Sequence, residues 1–297
     1  KIITSYNHFK PDLVYITLSP VGFAFLKDSL FLILIKILGG NIAIHLHGKG
    51  IKGYTEESKF WLIFYRLILK KVHIIHLSQI LFNDINNVRD KNYQLIAIPN
   101  GIDLPKDLPT QKKKVFTFIY LSNLVPGKGV DTLINASLLL PDDIRSNYQI
   151  KIFGSFSDSR FKEKIYKLLE NKRSNNIKLC GPIYGIKKFH ELSSSMAFIL
   201  PTRYKNECFP LSILEAMGAG IPVISSNEGA IEEIVDNNKC GQVIDNLSPE
   251  NLSEALIRYI NDPQLAMLHG ENAKRKFEDN YKVEIFEKNL IKYFNKL

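Results

Sequence analysis

Two glutamates eight positions apart, Glu207 and Glu215, carry the acidic half of the chemistry this sequence can support. Glu207 closes a polar loop that follows an apolar run, 196–200, which reads as a short buried strand ended by Pro201. Glu215 sits among Ile213, Leu214, Ala216 and Met217, a helix packing face that Gly218 and Gly220 bring to an end. Val223-Ile224 then starts another strand, so the stretch is a βαβ unit of a parallel sheet. In open parallel sheets ligands bind beyond the carboxyl ends of the strands, where this loop must lie. Pro210 stands at the first helical turn, which tolerates a missing N–H. The helix start suits a phosphate, and only the amides of Phe209 and Leu211 beside that proline can donate to one. A carboxylate next to phosphate is repelled, so Glu207 and Glu215 are expected to meet sugar or ribose hydroxyls. A lone glutamate is ordinarily a solvated surface residue, and the spacing by itself is a weak signal.

A basic partner is available in Gly127-Lys128-Gly129, beyond the strand at 115–121. A phosphate-binding P-loop is excluded there, because Ser122 stands where a glycine is required and Gly129 replaces the magnesium-binding Ser/Thr. What remains is a loop presenting Lys128, either as a point charge for a diphosphate or as a solvated turn lysine. His47 lies just past the strand 41–48, where an imidazole can hydrogen-bond a hydroxyl or move a proton. His45, His73 and His76 read as structural.

These residues need strands and helices to hold them, and the pattern supplies them in alternation. Before position 108 the reading is strands at 11–17, 41–48, 74–78 and 93–98, with helices at 21–38, 60–72 and 79–88. After it come strands at 115–121, 149–154, 177–181, 196–200, 223–226 and 240–244, separated by helices, with three helices from Pro249 to the end. The fold class is therefore α/β, with doubly wound, Rossmann-like domains. Residues 1–108 form the first domain, 109–280 the second and 281–297 a closing helix. Pro105, Pro109 and Lys112-Lys113-Lys114 read as the hinge.

Composition bounds the partners. The net charge of +9 is spread over both halves, with 13 basic against 8 acidic residues up to position 108 and 26 against 22 after it. Such an excess fits a nucleotide sugar or an anionic membrane surface, and equally a lysine-rich surface of no special role. Cys180, Cys208 and Cys240 read as reduced core thiols of a cytosolic protein. Residues 23–38 are too short and too charged to span a membrane, so a buried helix is expected. The aromatic, basic helix at 60–71 reads either as packed into its domain or as a face near a lipid-linked acceptor.

The motif string resembles the retaining glycosyltransferases of family four, the group 1 enzymes with the two-domain GT-B fold. Their signature, E-x-F-x-x-x-x-x-E-A, stands here as Glu207-Cys-Phe-Pro-Leu-Ser-Ile-Leu-Glu215-Ala216. Gly220-Ile-Pro-Val-Ile, Glu228-Gly229 and Pro99-Asn100-Gly101-Ile102-Asp103 fall where the family has related elements. The resemblance implies transfer of a sugar from a nucleotide-diphosphate donor, UDP- or GDP-linked, to a carbohydrate or lipid-linked acceptor. Surface polysaccharide or glycolipid synthesis at the inner face of the membrane follows from the same resemblance, with no nucleic-acid partner.

For individual residues the resemblance implies that His47 lines the reaction centre, Lys128 holds the diphosphate, Glu207 orients the donor sugar and Glu215 holds the ribose. It places Ile183 against the base, and Phe209, Pro210 and Leu211 at the diphosphate. Where the family has Gly-Arg this chain has Ser122-Asn123. Asn123 can still hydrogen-bond a phosphate but brings no charge, so Arg203 or Lys205 is expected to compensate. No metal-binding Asp-x-Asp motif follows a strand, and no metal or other cofactor is expected. Family members open with a further strand and glycine-rich loop, so the first domain is expected to be incomplete at its start. A sugar-nucleotide epimerase or phosphorylase of the same fold, and an inactive nucleotide-sugar-binding fragment, are the competing expectations.

Overall fold

A computed structural model describes residues 2–106 and 115–297. The Lys112-Lys113-Lys114 run and the expected boundary at 108/109 lie outside the described residues. The chain forms two compact units, Lys1–Pro99 with Glu287–Leu297, and Asn100–Phe286.

Among the described residues the first unit has helices α1 (Ile2–Phe9), α2 (Gly22–Ile37), α3 (Ile51–Glu57) and α4 (Lys59–Leu69) around four strands. These are β1 (Val14–Leu18), β2 (Ile42–Leu46), β3 (His73–His76) and β4 (Leu95–Ala97), all parallel and adjacent in chain order. Every residue of β2 is buried, His45 included, as in a strand covered on both faces. Phe25 of α2 stacks on Tyr65 of α4 with ring centroids 4.2 Å apart, and Tyr65 donates its hydroxyl to the Pro20 carbonyl at 2.8 Å.

Three expectations change in this unit. The helix expected at 79–88 is only a 3-10 turn, Ile80–Asp84. The Asp84 carboxylate instead accepts from the amides of Gly50, Ile51 and Lys52 at 2.9–3.1 Å, and a side chain bonded to backbone elsewhere competes with helix continuation. That same cap starts α3, which the sequence pattern did not reveal. Finally, α2 is not a buried helix: Phe23, Leu30 and Ile37 are exposed along it while Phe25, Leu32 and Ile35 reach the core. A helix lying on a sheet buries one stripe only, whatever the chemistry of its other side.

The second unit is a six-stranded parallel sheet among the described residues, in the order β10-β9-β8-β5-β6-β7. Its strands are β5 (Phe116–Leu121), β6 (Tyr148–Phe153), β7 (Ile177–Gly181), β8 (Ala197–Leu200), β9 (Val223–Ser226) and β10 (Gly241–Ile244). The connecting helices are α5 (Val130–Leu139), α6 (Ser159–Leu169), α7 (Gly185–Ser194), α8 (Leu211–Gly218) and α9 (Ile231–Val235). Helices α10 (Pro249–Asn261) and α11 (Pro263–Asn280) follow, each opened by a capping side chain, Ser248 and Asp262, and by a proline at its first position. Helix α12 (Val283–Phe294) ends the chain.

From β5 the chain builds outward through β6 to β7, then returns past β5 to lay down β8, β9 and β10 on its other side. The strand order therefore reverses between β5 and β8, which pair through Phe118 with Ala197 and Ile119 with Phe198. A crevice opens at such a reversal, beyond the carboxyl ends of the strands. Cys208 and Cys240 are buried as expected, but Cys180 is exposed. It lies on β7, the edge strand, whose outer positions no neighbouring strand covers.

Candidate active site

The loops after β5 and β8 meet at the reversal because glycine lets them. Gly129 has φ +81°, and a Cβ there would fall 1.8 Å from the Pro201 carbonyl oxygen, so neither the conformation nor the space admits a side chain. The Gly127 carbonyl accepts from the Arg203 amide at 2.6 Å. Held between these two contacts, Lys128 extends its ammonium to Glu207 Oε2 at 2.6 Å and lies 4.9 Å from the Tyr204 ring centroid. Glu207 is only 6 % exposed. Its own loop is fixed from the β9 side: the Ala230 amide donates to the Cys208 carbonyl at 2.9 Å, and Ser226 Oγ donates to the Thr202 carbonyl. Gly229, with φ +59°, packs so closely that a Cβ would sit 2.4 Å from the Glu207 carbonyl oxygen. A carboxylate this buried stays charged at acceptable cost only when paired, and Lys128 supplies the pairing.

Along the same edge of the sheet a cleft of about 240 Å³ opens at the ends of β5, β6 and β7 and the start of α8. Ser122 and Asn123 form one wall, Pro182, Ile183 and Tyr184 another, and Lys188, Ser212 and Glu215 the floor. Lys188 of α7 donates to Glu215 Oε1 at 2.6 Å. The strand ends are tied across the cleft, with the Gly154 amide donating to the Gly181 carbonyl at 3.0 Å and the Leu124 amide to the Ser155 carbonyl at 2.9 Å.

The second unit also contains the stretch that comparison with known proteins recognises. A family model described as glycosyl transferases group 1 matches residues 105–276. The chain belongs to the group 1 glycosyl transferases. An uncharacterized glycosyltransferase of Methanocaldococcus jannaschii is 26 % identical over 272 residues, covering 86 % of this chain and 68 % of its own length. A GDP-mannose-dependent phosphatidylinositol monomannoside mannosyltransferase of Mycobacterium tuberculosis is 30 % identical over 162 residues, 52 % of this chain and 40 % of its own. A second M. jannaschii glycosyltransferase is matched over 51 % of its length, so the chain spans between 40 % and 68 % of the length of these relatives. Among solved structures, HepE of Anabaena in complex with UDP superimposes with a TM-score of 0.84 at 18 % identity, over all of this chain and 81 % of that one. The shared fold is GT-B, with a Rossmann-like parallel sheet in each domain.

In this group 1 glycosyl transferase the residues singled out by type and spacing fall into four places. Asn123, Ile183 and Glu215 line the cleft. Lys128 and Glu207 form the buried pair at the strand reversal. Phe209 is buried, Pro210 is the N-cap of α8 and Leu211 its exposed first residue, so the amides that open α8 follow directly on the Glu207 loop. His47 lies in the first unit, exposed just past β2, with its ring 4.2 Å from that of His45. Packing against neighbours desolvates the imidazole and lowers its pKa. His45 accepts or donates at 2.7 Å with the Tyr15 hydroxyl, and burial pushes its pKa down to about 3 and that of His76 to about 4. Arg203, expected to replace the missing arginine near the diphosphate, instead donates its guanidinium to the Leu247 carbonyl, which no spacing along the chain foretells. Lys188 was missed altogether. In sequence it is one of two lysines on an amphipathic helix, and its partner lies 27 residues further on.

Proposed function

We propose that this chain transfers a glycosyl group from a nucleotide-diphosphate sugar to an acceptor hydroxyl with retention of anomeric configuration. The observation that carries the reading is the pairing of Lys128 with Glu207 beside a cleft holding Glu215, at the reversal of strand order. In this reading the nucleoside enters the cleft, with its base against Ile183 and its ribose hydroxyls on Glu215. The diphosphate lies toward Lys128 and the amides of Phe209 and Leu211, with Asn123 as a neutral donor. As the glycosidic bond breaks, negative charge grows on the leaving diphosphate, and fixed donors aimed there lower the barrier. Lys128 is then shared between phosphate and Glu207. Glu207 is thereby free to orient the donor sugar and to stabilise the positive charge developing at its anomeric carbon. His47 would serve the acceptor side, its imidazole placed to accept a hydroxyl proton. Each carboxylate of the site is held by a lysine, so charge compensation is assigned to side chains and amides, without a metal ion.

The donor nucleoside is uridine or guanosine, the two carried by the UDP bound to HepE and by the GDP-mannose of the mannosyltransferase. The acceptor is a carbohydrate or a lipid-linked sugar, as in polysaccharide or glycolipid assembly on the cytoplasmic side. Thermal-shift titration with UDP, GDP, UDP-glucose and GDP-mannose tests the binding half, because a ligand selective for the folded state raises the midpoint. Glu207→Gln keeps the shape of the loop and is expected to retain the shift while losing at least about 100-fold in donor turnover. Equal turnover by Glu207→Gln and the parent chain would overturn the reading. Nucleotide-sugar interconversion without any acceptor would replace it with epimerisation.

A further inference from the structure

We propose that the outer face of α2 and α4 docks on the surface of an acidic phospholipid bilayer. Five exposed apolar residues of α2, Phe23, Leu26, Leu30, Ile33 and Ile37, are spaced alternately three and four apart, which keeps them on one side of the helix, with Phe31 exposed beside them. Phe23 is 84 %, Leu30 67 % and Ile37 76 % exposed. On α4 the same spacing recurs in Phe60, Ile63 and Leu67, 67 %, 59 % and 63 % exposed. The two helices touch, since Lys36 Nζ donates to the Leu67 and Ile68 carbonyls at 3.1 and 2.6 Å, so both rows belong to one surface. Single exposed leucines are ordinary, whereas two adjoining rows of large side chains mark an interaction face.

Charge identifies the partner. Lys59, Arg66 and Lys70, at spacings of seven and four, run along one flank of the α4 row, and all three are exposed. From Gly22 to Ile37 and Lys59 to Lys71 there are six basic residues and one acidic, Asp28. That carboxylate accepts from the Ser19 amide at 3.0 Å and faces Lys27 at 3.5 Å. Where α2 and α4 end, Lys36, Lys70, Lys71 and Tyr93 line an open notch of about 560 Å³, wide enough for a phosphate headgroup. No helix among the described residues is long and apolar enough to cross a membrane. An apolar face bordered by lysine and arginine is instead the composition of a helix lying in the headgroup boundary. A second copy of the chain fits less well, because a two-fold contact over this face would set like charges against each other.

Co-sedimentation with vesicles tests the docking. The parent chain is expected to pellet with phosphatidylglycerol/phosphatidylcholine vesicles in equal parts, and at least tenfold less with phosphatidylcholine alone or in high salt. Lys70→Ser/Lys71→Ser should weaken binding by roughly fivefold per lysine. Phe23→Ser/Leu30→Ser/Ile37→Ser should abolish it while leaving the thermal midpoint in place, because the three side chains touch solvent. Binding that ignores vesicle charge, binding that survives the triple serine variant, or no binding to either vesicle would overturn the proposal. So would sedimentation-velocity evidence of a dimer that the triple variant dissolves in the absence of lipid.

Discussion

Lys188 and Glu215 show how a side chain with no motif around it becomes part of a site. Both are mostly buried, with side-chain exposures of 20 % and 16 %, and a hydrogen bond to a charged group in that setting contributes more than one at the surface. If Glu215 holds donor hydroxyls, Lys188 decides where its carboxylate points. Lys188→Met is therefore expected to raise the donor KM about tenfold while kcat stays within about twofold. Steady-state kinetics with donor varied measures both, and an unchanged KM would leave Lys188 a purely structural residue. Glu207 differs, because the motif string from Glu207 to Ala216 already pointed to it through its family resemblance. What spacing could not supply is that Lys128, 79 positions earlier, reaches it at 2.6 Å.

At the scale of the element, glycines decide whether loops can approach one another. The turn that presents Lys128 depends on Gly129, where the Pro201 carbonyl leaves no room for a Cβ and φ is positive. Gly129→Ala should lower stability by about 2 kcal/mol or more and weaken nucleotide binding with it, since the β5 loop must withdraw from β8. Gly53 is the control. It lies inside α3 with nothing within 4 Å of a built Cβ, so Gly53→Ala should add about 0.5–1 kcal/mol through helix propensity alone. Urea denaturation of the two variants should give shifts of opposite sign, and a shared sign would contradict this account of the loop. The strands and most helices were legible because buried parallel strands are apolar runs and helices repeat near every third or fourth position. The segment 79–88 misled because its apolar residues suit a helix while Asp84 is drawn off to cap α3.

For the whole molecule, pH reports on the buried histidines of the first unit. His45 and His76 are fully buried and held neutral, with pKa values near 3 and 4 against an ordinary 6.5. The unfolded chain binds these protons first, so their stabilising contribution is complete above about pH 6.5 and is lost as pH falls, toward 4 for His76 and toward 3 for His45. The loss should reach about 3 kcal/mol at pH 5, and His76→Asn should flatten the slope between pH 6.5 and 4 in thermal melts. A slope unchanged by that substitution would place the acid sensitivity elsewhere. Taken alone, the amino-acid order settled the alternation of strands and helices, the α/β class and the helix start between Glu207 and Glu215, since these depend on neighbours within a few turns of chain. Folding settled the partner of each carboxylate, the exposure of Cys180, the second duty of Arg203 and the face that α2 leaves to solvent. Those outcomes rest on side chains tens of residues apart being carried to one place by strand order, and a one-dimensional pattern has no term for that.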